Sequence, residues 1–403
     1  MIIHYFKMIW NRRKENLLTV VEISFAFLIL TALSSFVIMQ TEKYLEPLGF
    51  NYKNVWMVNA FPKEYYPLDT DEDWKQEHMR EKVRNEKMER LAVEIKNVFS
   101  TVEYAHPVHF STMAYLHQTG EDNAFVFGGK EIRYQFCCAN EYLKDDLEIN
   151  LKEGRWFSRE DMASSRHQVV LSRKVADVLF PRQNPVGRTF GDDQKYEVLG
   201  VVDHFKFNGE FSDNLNLMFF KDTNDEHNGI LIKVKNKPHP SFEGELMKLL
   251  RKYASDLNFN IYSMEKMRQQ YLRKYLVPLI ILSVVVAFLI INVMLGLFAS
   301  LWQNIARRKS EIGIRRAVGS RRSLIQWQIL VETYILTSIS ILIGFVFSSQ
   351  IFIYNFLDIP VQALILGHLA STLVIFILST FCALLPARQA ANLKPAEAIR
   401  EEF

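Results

Sequence analysis

The run LVPLIILSVVVAFLIINVMLGLFASL, residues 276–301, carries no charged side chain over 26 residues. A helix needs about 20 apolar residues to cross the hydrocarbon core of a bilayer, so this stretch is long enough. Three more runs share its character. Residues 17–39 hold one acid, Glu22; residues 326–354 hold one acid, Glu332; residues 363–387 hold none. Four such runs in one chain predict four transmembrane helices and exclude a plain soluble enzyme.

The charge distribution follows the same division. Residues 41–275 contain 34 Lys and Arg against 37 Asp and Glu, whereas the remaining 168 residues contain 14 against 8. The positive excess lies beside apolar runs and not on a folded domain, which argues against a nucleic-acid binder. Lys7, Arg12, Arg13 and Lys14 precede the first run. Arg307, Arg308, Lys309, Arg315, Arg316, Arg321 and Arg322, against only Glu311, fill the loop between the second and third, and the short loop before the fourth has no Lys or Arg. Basic residues stay on the cytoplasmic side. The chain therefore reads as a cytoplasmic amphipathic N-terminus (1–16), helix 1 (17–40), an outer domain (41–275), helix 2 (276–301), a cytoplasmic loop (302–325), helix 3 (326–354), a short outer loop (355–362), helix 4 (363–387) and a cytoplasmic tail (388–403). The first run exceeds the about 7–15 residues of a signal-peptide core and reads as an anchor. Cys137 and Cys138 are adjacent and Cys382 lies in the fourth run. Adjacent cysteines rarely satisfy disulfide geometry, so no disulfide framework is expected.

Within the outer domain, Met79, Val83, Met88, Leu91, Ile95 and Val98 recur at helical spacing and mark an amphipathic helix over 71–98. Strands at 55–61 and 101–106 flank it. A second strand–helix–strand unit occupies 229–235, 241–253 and 258–263. Two such units pair as a split α/β sandwich, covering 51–106 and 229–263. The insertion 107–228 reads as β-rich, with strands at 124–127, 168–171 and 196–202 and a helix at 173–179. A helical stalk at 264–275 leads into helix 2. The fold class is an α-helical membrane protein with one helix, then three, and a large α+β extracytoplasmic domain between helices 1 and 2.

No catalytic constellation emerges. The nearest approach to a phosphate-binding loop, Gly313 to Ser320, has the wrong glycine spacing and no Lys after its second glycine. Asp145-Asp146 and Asp192-Asp193 read as solvated loops. His106, His109 and His117 have no carboxylate at ligand spacing and read as core or surface histidines. No metal or cofactor is expected. Glu22 and Glu332 lie near the cytoplasmic ends of their runs and read as structural ion pairs. Asn292 and His368 read as interhelical hydrogen-bonding groups. Ser340, Gly344 and Ser348 repeat every fourth residue on the third run, as Ser379, Ala383 and Ala387 do on the fourth; small-residue stripes suit close helix packing.

The loop after helix 2 is the most informative stretch. Glu311 and Arg315 stand four apart and predict a short helix over 311–318, stopped by Gly319 and followed by Ser320 as the cap of the next helix. Ile312, Ile314 and Val318 give it an apolar surface. Composition alone leaves two readings open: a basic loop against anionic membrane lipids, or a helix that docks in a groove on a cytoplasmic partner.

At this loop the sequence resembles the MacB/FtsX-like permeases of ATP-binding-cassette (ABC) systems. Arg308, Glu311, Ile312, Gly313, Ile314, Arg315, Ala317, Gly319 and Ser320 match that family's basic segment, with Arg316 inside it. The tail from Pro386 through Pro395 to Arg400 is similar to the family's ending. The outer domain resembles the MacB-type periplasmic core at 154–161, at 169–188 with Asn184 and Gly187, and at 196–202.

The resemblance implies a non-catalytic permease of the bacterial inner membrane. A separate ABC ATPase supplies the energy and docks on the loop. The permease is a homodimer or pairs with a similar permease, and a periplasmic adaptor and an outer-membrane channel belong to some such systems. Motion passes from the ATPase to the periplasmic domain, and substrate need not cross between the helices. Efflux of a drug, peptide or lipid-linked substrate is the expected role, favoured by the large outer domain. The alternative is a membrane-anchored regulatory or scaffold protein whose periplasmic domain controls a partner such as a wall hydrolase.

Overall fold

The computed structural model describes residues 13–63, 71–109, 115, 123–191, 194–212, 216–221, 227–353 and 359–392. The N-terminal segment 1–12, His117, Asp192, Asp193, residues 354–358 and the tail motif around Pro395 lie outside the described residues. In chain order the elements are α1 (Arg13–Leu45), β1 (Val55–Pro62), α2 (Asp71–Val98), β2 (Val102–Val108), β3 (Asn123–Phe127), β4 (Lys130–Ala139), α3 (Leu143–Asp146) and β5 (Leu151–Gly154). They continue with α4 (Arg159–Ala163), β6 (Gln168–Ser172), α5 (Arg173–Leu179), β7 (Thr189–Phe190), β8 (Tyr196–Val202), β9 (Leu217–Lys221), β10 (Gly229–Val234), α6 (Phe242–Tyr253) and β11 (Leu257–Ser263). The last four are α7 (Met264–Arg307), α8 (Lys309–Ala317), α9 (Arg322–Ile353) and α10 (Val361–Ala391). The chain forms two compact units, Met1–Glu42 with Val277–Phe403, and Lys43–Leu276.

In the membrane unit, α1, α7, α9 and α10 are long and apolar enough to span a bilayer. Three of them pack through small residues. Ser340 and Ser348 of α9 are buried, and a Cβ added to Gly344 would stand 2.7 Å from the Phe27 ring and 3.0 Å from the Ser24 carbonyl of α1. Ser24 donates to the carbonyl of Ser340 (2.9 Å). His368 of α10 bonds Ser348 of α9 at 2.7 Å. Asn292 departs from its reading: its amide donates to the Phe288 carbonyl of its own helix at 2.8 Å, because α7 offers it no neighbour on that exposed side. Ser379, Ala383 and Ala387 are buried on α10. Only 6% of α7's most apolar window is buried, against 33% in the other three helices, so its apolar face, with Val284, Phe288, Ile291 and Leu295, stays uncovered.

The outer unit holds two sheets. The first has the order β11-β1-β10-β2, antiparallel throughout, so the two strand–helix–strand segments interleave as a split sandwich. Alternation along β1 sends Trp56, Val58 and Ala60 toward α2 and α6, and Val55 and Met57 toward the opposite face. Met88, Leu91 and Ile95 of α2 are covered by this sheet, while Met79 and Val83 on the same stripe are 68% and 51% exposed. The first half of α2 therefore overhangs the sheet.

The second sheet runs β3-β4-β9-β6-β8-β5, with β7 paired to β8. Gly128 (φ +57°) and Gly129 (φ +76°) form a two-residue turn between β3 and β4, a conformation that only glycine takes at no cost. The stretches that resemble the family's core domain all build this sheet. Gly154 (φ +76°) and Gly200 lie where added Cβ atoms would collide with the facing backbone. Gly187 (φ +79°) donates its amide to Val198 at 2.8 Å. Trp156 donates its indole N–H to the Asn140 carbonyl at 2.9 Å.

Asp161 closes the first of these stretches. It accepts from Arg155 Nη2 at 2.9 Å, from Ser158 N at 2.8 Å and from the Ser158 hydroxyl at 2.6 Å, completing a capping box on α4. The Arg155 guanidinium, aided by the Ser158 donors and opposed by burial, holds the Asp161 carboxyl far below the usual carboxylate range. Its folded pKa thus lies below the unfolded value of about 3.9. The stabilisation is complete above about pH 5, begins to decline as pH falls through the unfolded value, and is lost fully only as pH falls through the much lower folded value. Asp161→Asn should lower the urea midpoint of the full chain in detergent at pH 7, and the gap between the two midpoints should begin to narrow below about pH 4 yet persist at pH 3. Equal midpoints at pH 7 would contradict this.

Candidate functional site

The loop between α7 and α9 is a short helix with a defined stop. The amide of Ser320 reaches the Arg315 carbonyl (3.0 Å) and that of Gly319 the Arg316 carbonyl (3.1 Å). Gly319 sits at φ +98°. This paired closure needs a left-handed residue after the helix. Ser320 departs from its expected role as a cap: α9 begins at Arg322, so Arg321 precedes it. The carbonyl of Ser320 instead accepts from Arg316 at 2.8 Å.

Five polar side chains hold α8 against α9. Arg308 Nη1 donates to Glu332 Oε2 (2.6 Å), and its Nε to Glu311 Oε2 (3.3 Å). Glu311 Oε1 accepts from Arg315 Nη2 (2.7 Å), Arg315 Nη1 donates to Gln328 Oε1 (2.8 Å), and Gln328 Nε2 donates to Glu332 Oε1 (3.0 Å). The chain of bonds returns to its start and closes a ring. Two guanidinium groups face two carboxylates, so the ring is neutral within itself. The Arg308 side chain is 8% exposed, and burying it is tolerable because both acids stand against it. The charges of Arg316, Arg321 and Arg322 lie outside the ring.

Ile312 is buried against Ile305, Ile325, Ile329 and Ala387, Ala390 and Ala391 of α10, and Gly313 is buried beside it. Ile312 therefore belongs to the unit's interior and not to the outer face of the loop, which corrects its assignment to a docking surface. Ile314 (54% exposed) and Val318 (84% exposed) remain on that face. The sequence pairs Glu311 with Arg315; the fold adds Arg308, Gln328 and Glu332 to that pair, and Gln328 was not among the expected site residues. Its only signal was its position four residues before Glu332, on the face that meets the loop. Glu332 pairs with Arg308, and the Glu22 carboxylate lies against Gly296 of α7, where an added Cβ would stand 2.7 Å from Oε2.

Among the described residues of the outer unit, no group of three or more His, Cys, Asp and Glu stands ready to hold a metal. Cys137, Cys138 and Cys382 are buried thiols outside any disulfide. Asp146 corrects the reading of a solvated acidic pair. It is 2% exposed and bonds His106 Nδ1 at 2.9 Å. The His106 ring stacks between Tyr104 and Tyr142, a structural knot that joins β2 to α3. Burial pushes the Asp146 carboxyl up, opposed by His106.

A family model described as the MacB-like periplasmic core domain matches residues 17–241, and one described as the FtsX-like permease C-terminal matches residues 263–395. The macrolide export ATP-binding/permease protein MacB of Chlorobium luteolum is 26% identical over 264 residues, covering 62% of this chain and 40% of that protein. The probable syringafactin export ATP-binding/permease protein SyfD of Pseudomonas syringae is 26% identical over 267 residues, with the same coverage of 62% and 40%. The chain thus spans about two fifths of the length of these curated relatives. The crystal structure of the periplasmic region of MacB from Actinobacillus actinomycetemcomitans matches with 17% identity and a TM-score of 0.35, covering 57% of this chain and 97% of that one. The first family model takes in more than half of the sequence and the second takes in the last three helices with the loop between them, and this chain therefore belongs to the MacB/FtsX-like permeases of ABC transporters.

Proposed function

We propose that this chain is the permease subunit of an ABC transporter in the bacterial inner membrane, and that it passes ATP-driven motion from a cytoplasmic ATPase to its periplasmic domain. The closed ring from Arg308 to Glu332 carries this reading. A helix that receives a push from a partner must not slide on its own chain. The ring, the buried Ile312 and the glycine stop together fix α8 on α9 and α10. The exposed Ile314 and Val318, beside Arg316, form the face that meets the ATPase. ATP hydrolysis resides in that partner, since these 403 residues carry no phosphate-binding loop. The uncovered face of α7 is available to a second permease copy, identical or similar. The names of the relatives support efflux of a drug, peptide or lipid-linked substrate. A periplasmic adaptor and an outer-membrane channel belong to that same exporter reading.

The docking role is tested by Gly319→Val and Glu311→Lys. The first forces a β-branched residue into a left-handed conformation, at a cost of about 1–3 kcal/mol. The second sets a cation against both Arg308 and Arg315. Each should reduce co-purification of the ATPase and its stimulation, with the outer domain still folded. Full stimulation in both would place docking elsewhere.

Orientation has its own test. Arg90 is 82% exposed and Val318 is 84% exposed, so burial does not separate them. In cells with a permeabilised outer membrane, an impermeant thiol reagent should label Arg90→Cys and spare Val318→Cys. Labelling of Val318→Cys would overturn the orientation.

A further inference from the structure

The loop after β8, residues 203–212, sends its side chains in two directions. Phe205 and Phe207, each 1% exposed, enter the core beneath the second sheet. The residues beside and after them reach the outer-unit ends of two helices. Lys206 is fully buried. Its ammonium donates to the carbonyl of Lys43 in the last turn of α1, to Glu46 Oε2 at 2.8 Å and to the Glu210 carbonyl at 3.1 Å. A buried ammonium needs this number of oxygen partners, and a cation at a helix C-terminus also meets the negative end of the helix dipole. Its own amide donates to the Leu48 carbonyl at 2.8 Å.

Glu210, 3% exposed, pairs with Arg268 in the first turns of α7, and the Arg268 guanidinium lies 4.5 Å from the centre of the Tyr52 ring. Phe211 stands between the two helices. Its ring centroid is 5.7 Å from that of Tyr44 on α1 and 5.3 Å from that of Tyr275 on α7. Gly209, at φ +93°, lets the loop pass against α7, since a Cβ there would stand 2.6 Å from the Tyr271 ring. One ten-residue loop thus holds the end of α1 by a buried ammonium, the start of α7 by an ion pair, and both by one aromatic ring.

We propose that this loop is a clasp that fixes the separation of the α1 end and the α7 start within the outer unit, with Lys206, Glu210 and Phe211 as its positioning residues. For a permease that works by motion along these helices, the clasp makes both ends act on the outer domain as one body. Its functional meaning rests on the transmission reading above; its geometry does not.

Spin labels at Leu45→Cys and Arg273→Cys, both exposed positions, read the separation in the full chain, whose native cysteines are buried. The unaltered clasp should give one narrow distance. Lys206→Met should broaden it and add a longer population. Phe211→Leu, which stays apolar and is the milder change, should do the same to a smaller degree and decides the matter if Lys206→Met does not fold. Lys221→Met is the control. Lys221 is also buried and donates to the carbonyls of Asp161 (3.1 Å) and Ser164, so its loss destabilises the outer unit without touching either helix and should leave the distance narrow. A single narrow distance in the clasp variants, or equal broadening in Lys221→Met, overturns the clasp. A clasp variant that broadens the distance yet stimulates the ATPase at the unaltered level leaves the clasp standing and overturns the transmission reading.

Discussion

Arg308→Met should destabilise the membrane unit by about 3–5 kcal/mol, the usual cost of leaving one partner of a buried ion pair unpaired. The Glu332 carboxylate, whose side chain is 16% exposed, would lose its 2.6 Å partner. Glu311 would lose one of its two arginines. The single variant should show a lower thermal midpoint in detergent and should fail to retain the ATPase. The double variant Arg308→Met with Glu332→Met removes both charges and should recover most of the stability, because two apolar side chains of similar size need no compensation. It should not recover stimulation of the ATPase, since Glu311, Arg315 and Gln328 then form an open chain and no longer a ring. A double variant as unstable as the single one would show that packing of Arg308, and not its charge, holds α8.

Gly367→Val should be the most damaging change within the spans. An added Cβ at Gly367 would overlap the Ser35 hydroxyl of α1 and stand 2.8 Å from the Ser35 backbone nitrogen. Backbone does not yield as a flexible side chain does, so α10 and α1 must separate. Overpacking of this kind costs about 1–3 kcal/mol, and contact with backbone puts it at the upper end. Gly244→Ala makes a like change on α6, where nothing lies within 4 Å of the new atom, and should raise stability by roughly 0.5–1 kcal/mol through helix propensity. Equal thermal midpoints for the two variants would mean that α1 and α10 do not meet at Gly367.

Much of this architecture was legible where the determinants are local. The apolar runs were long enough to mark the spanning helices from length alone. The stripe from Met79 to Val98 marked α2, because a helix declares itself every three or four residues. Gly319 announced the end of α8 through the one conformation that glycine alone takes freely. What stayed hidden depends on partners distant in sequence. β4 begins with Lys130, Glu131 and Arg133 and looks like a loop, yet it lies between β3 and β9; the Gly128-Gly129 turn was the signal that went unread. β9 pairs parallel to β4 and antiparallel to β6, and neither pairing leaves a mark in five residues. Asp146 looked like half of a solvated acidic pair until folding carried His106 to it. Gln328 joined the ring only because α8 folds back on α9. Ile312 looked like docking surface because the alanines that cover it, from Ala387 onward, lie some 75 residues away.

The position of β1 has a consequence for how the outer unit is made. β1 lies between β10 and β11, whose residues follow it by about 170 to 200 positions. Synthesis runs from the N-terminus, so β1 and α2 emerge from the translocation machinery long before either flanking strand exists. Met88, Leu91 and Ile95 then have no sheet to lie on, and both edges of β1 are open. Pairings of such long range form slowly, and an open strand edge invites pairing with another chain. The nascent domain therefore passes through an interval in which it depends on being shielded. Overproduction that outruns the cell's periplasmic holding capacity should yield aggregates seeded by the first 100 residues, even when the finished protein is stable.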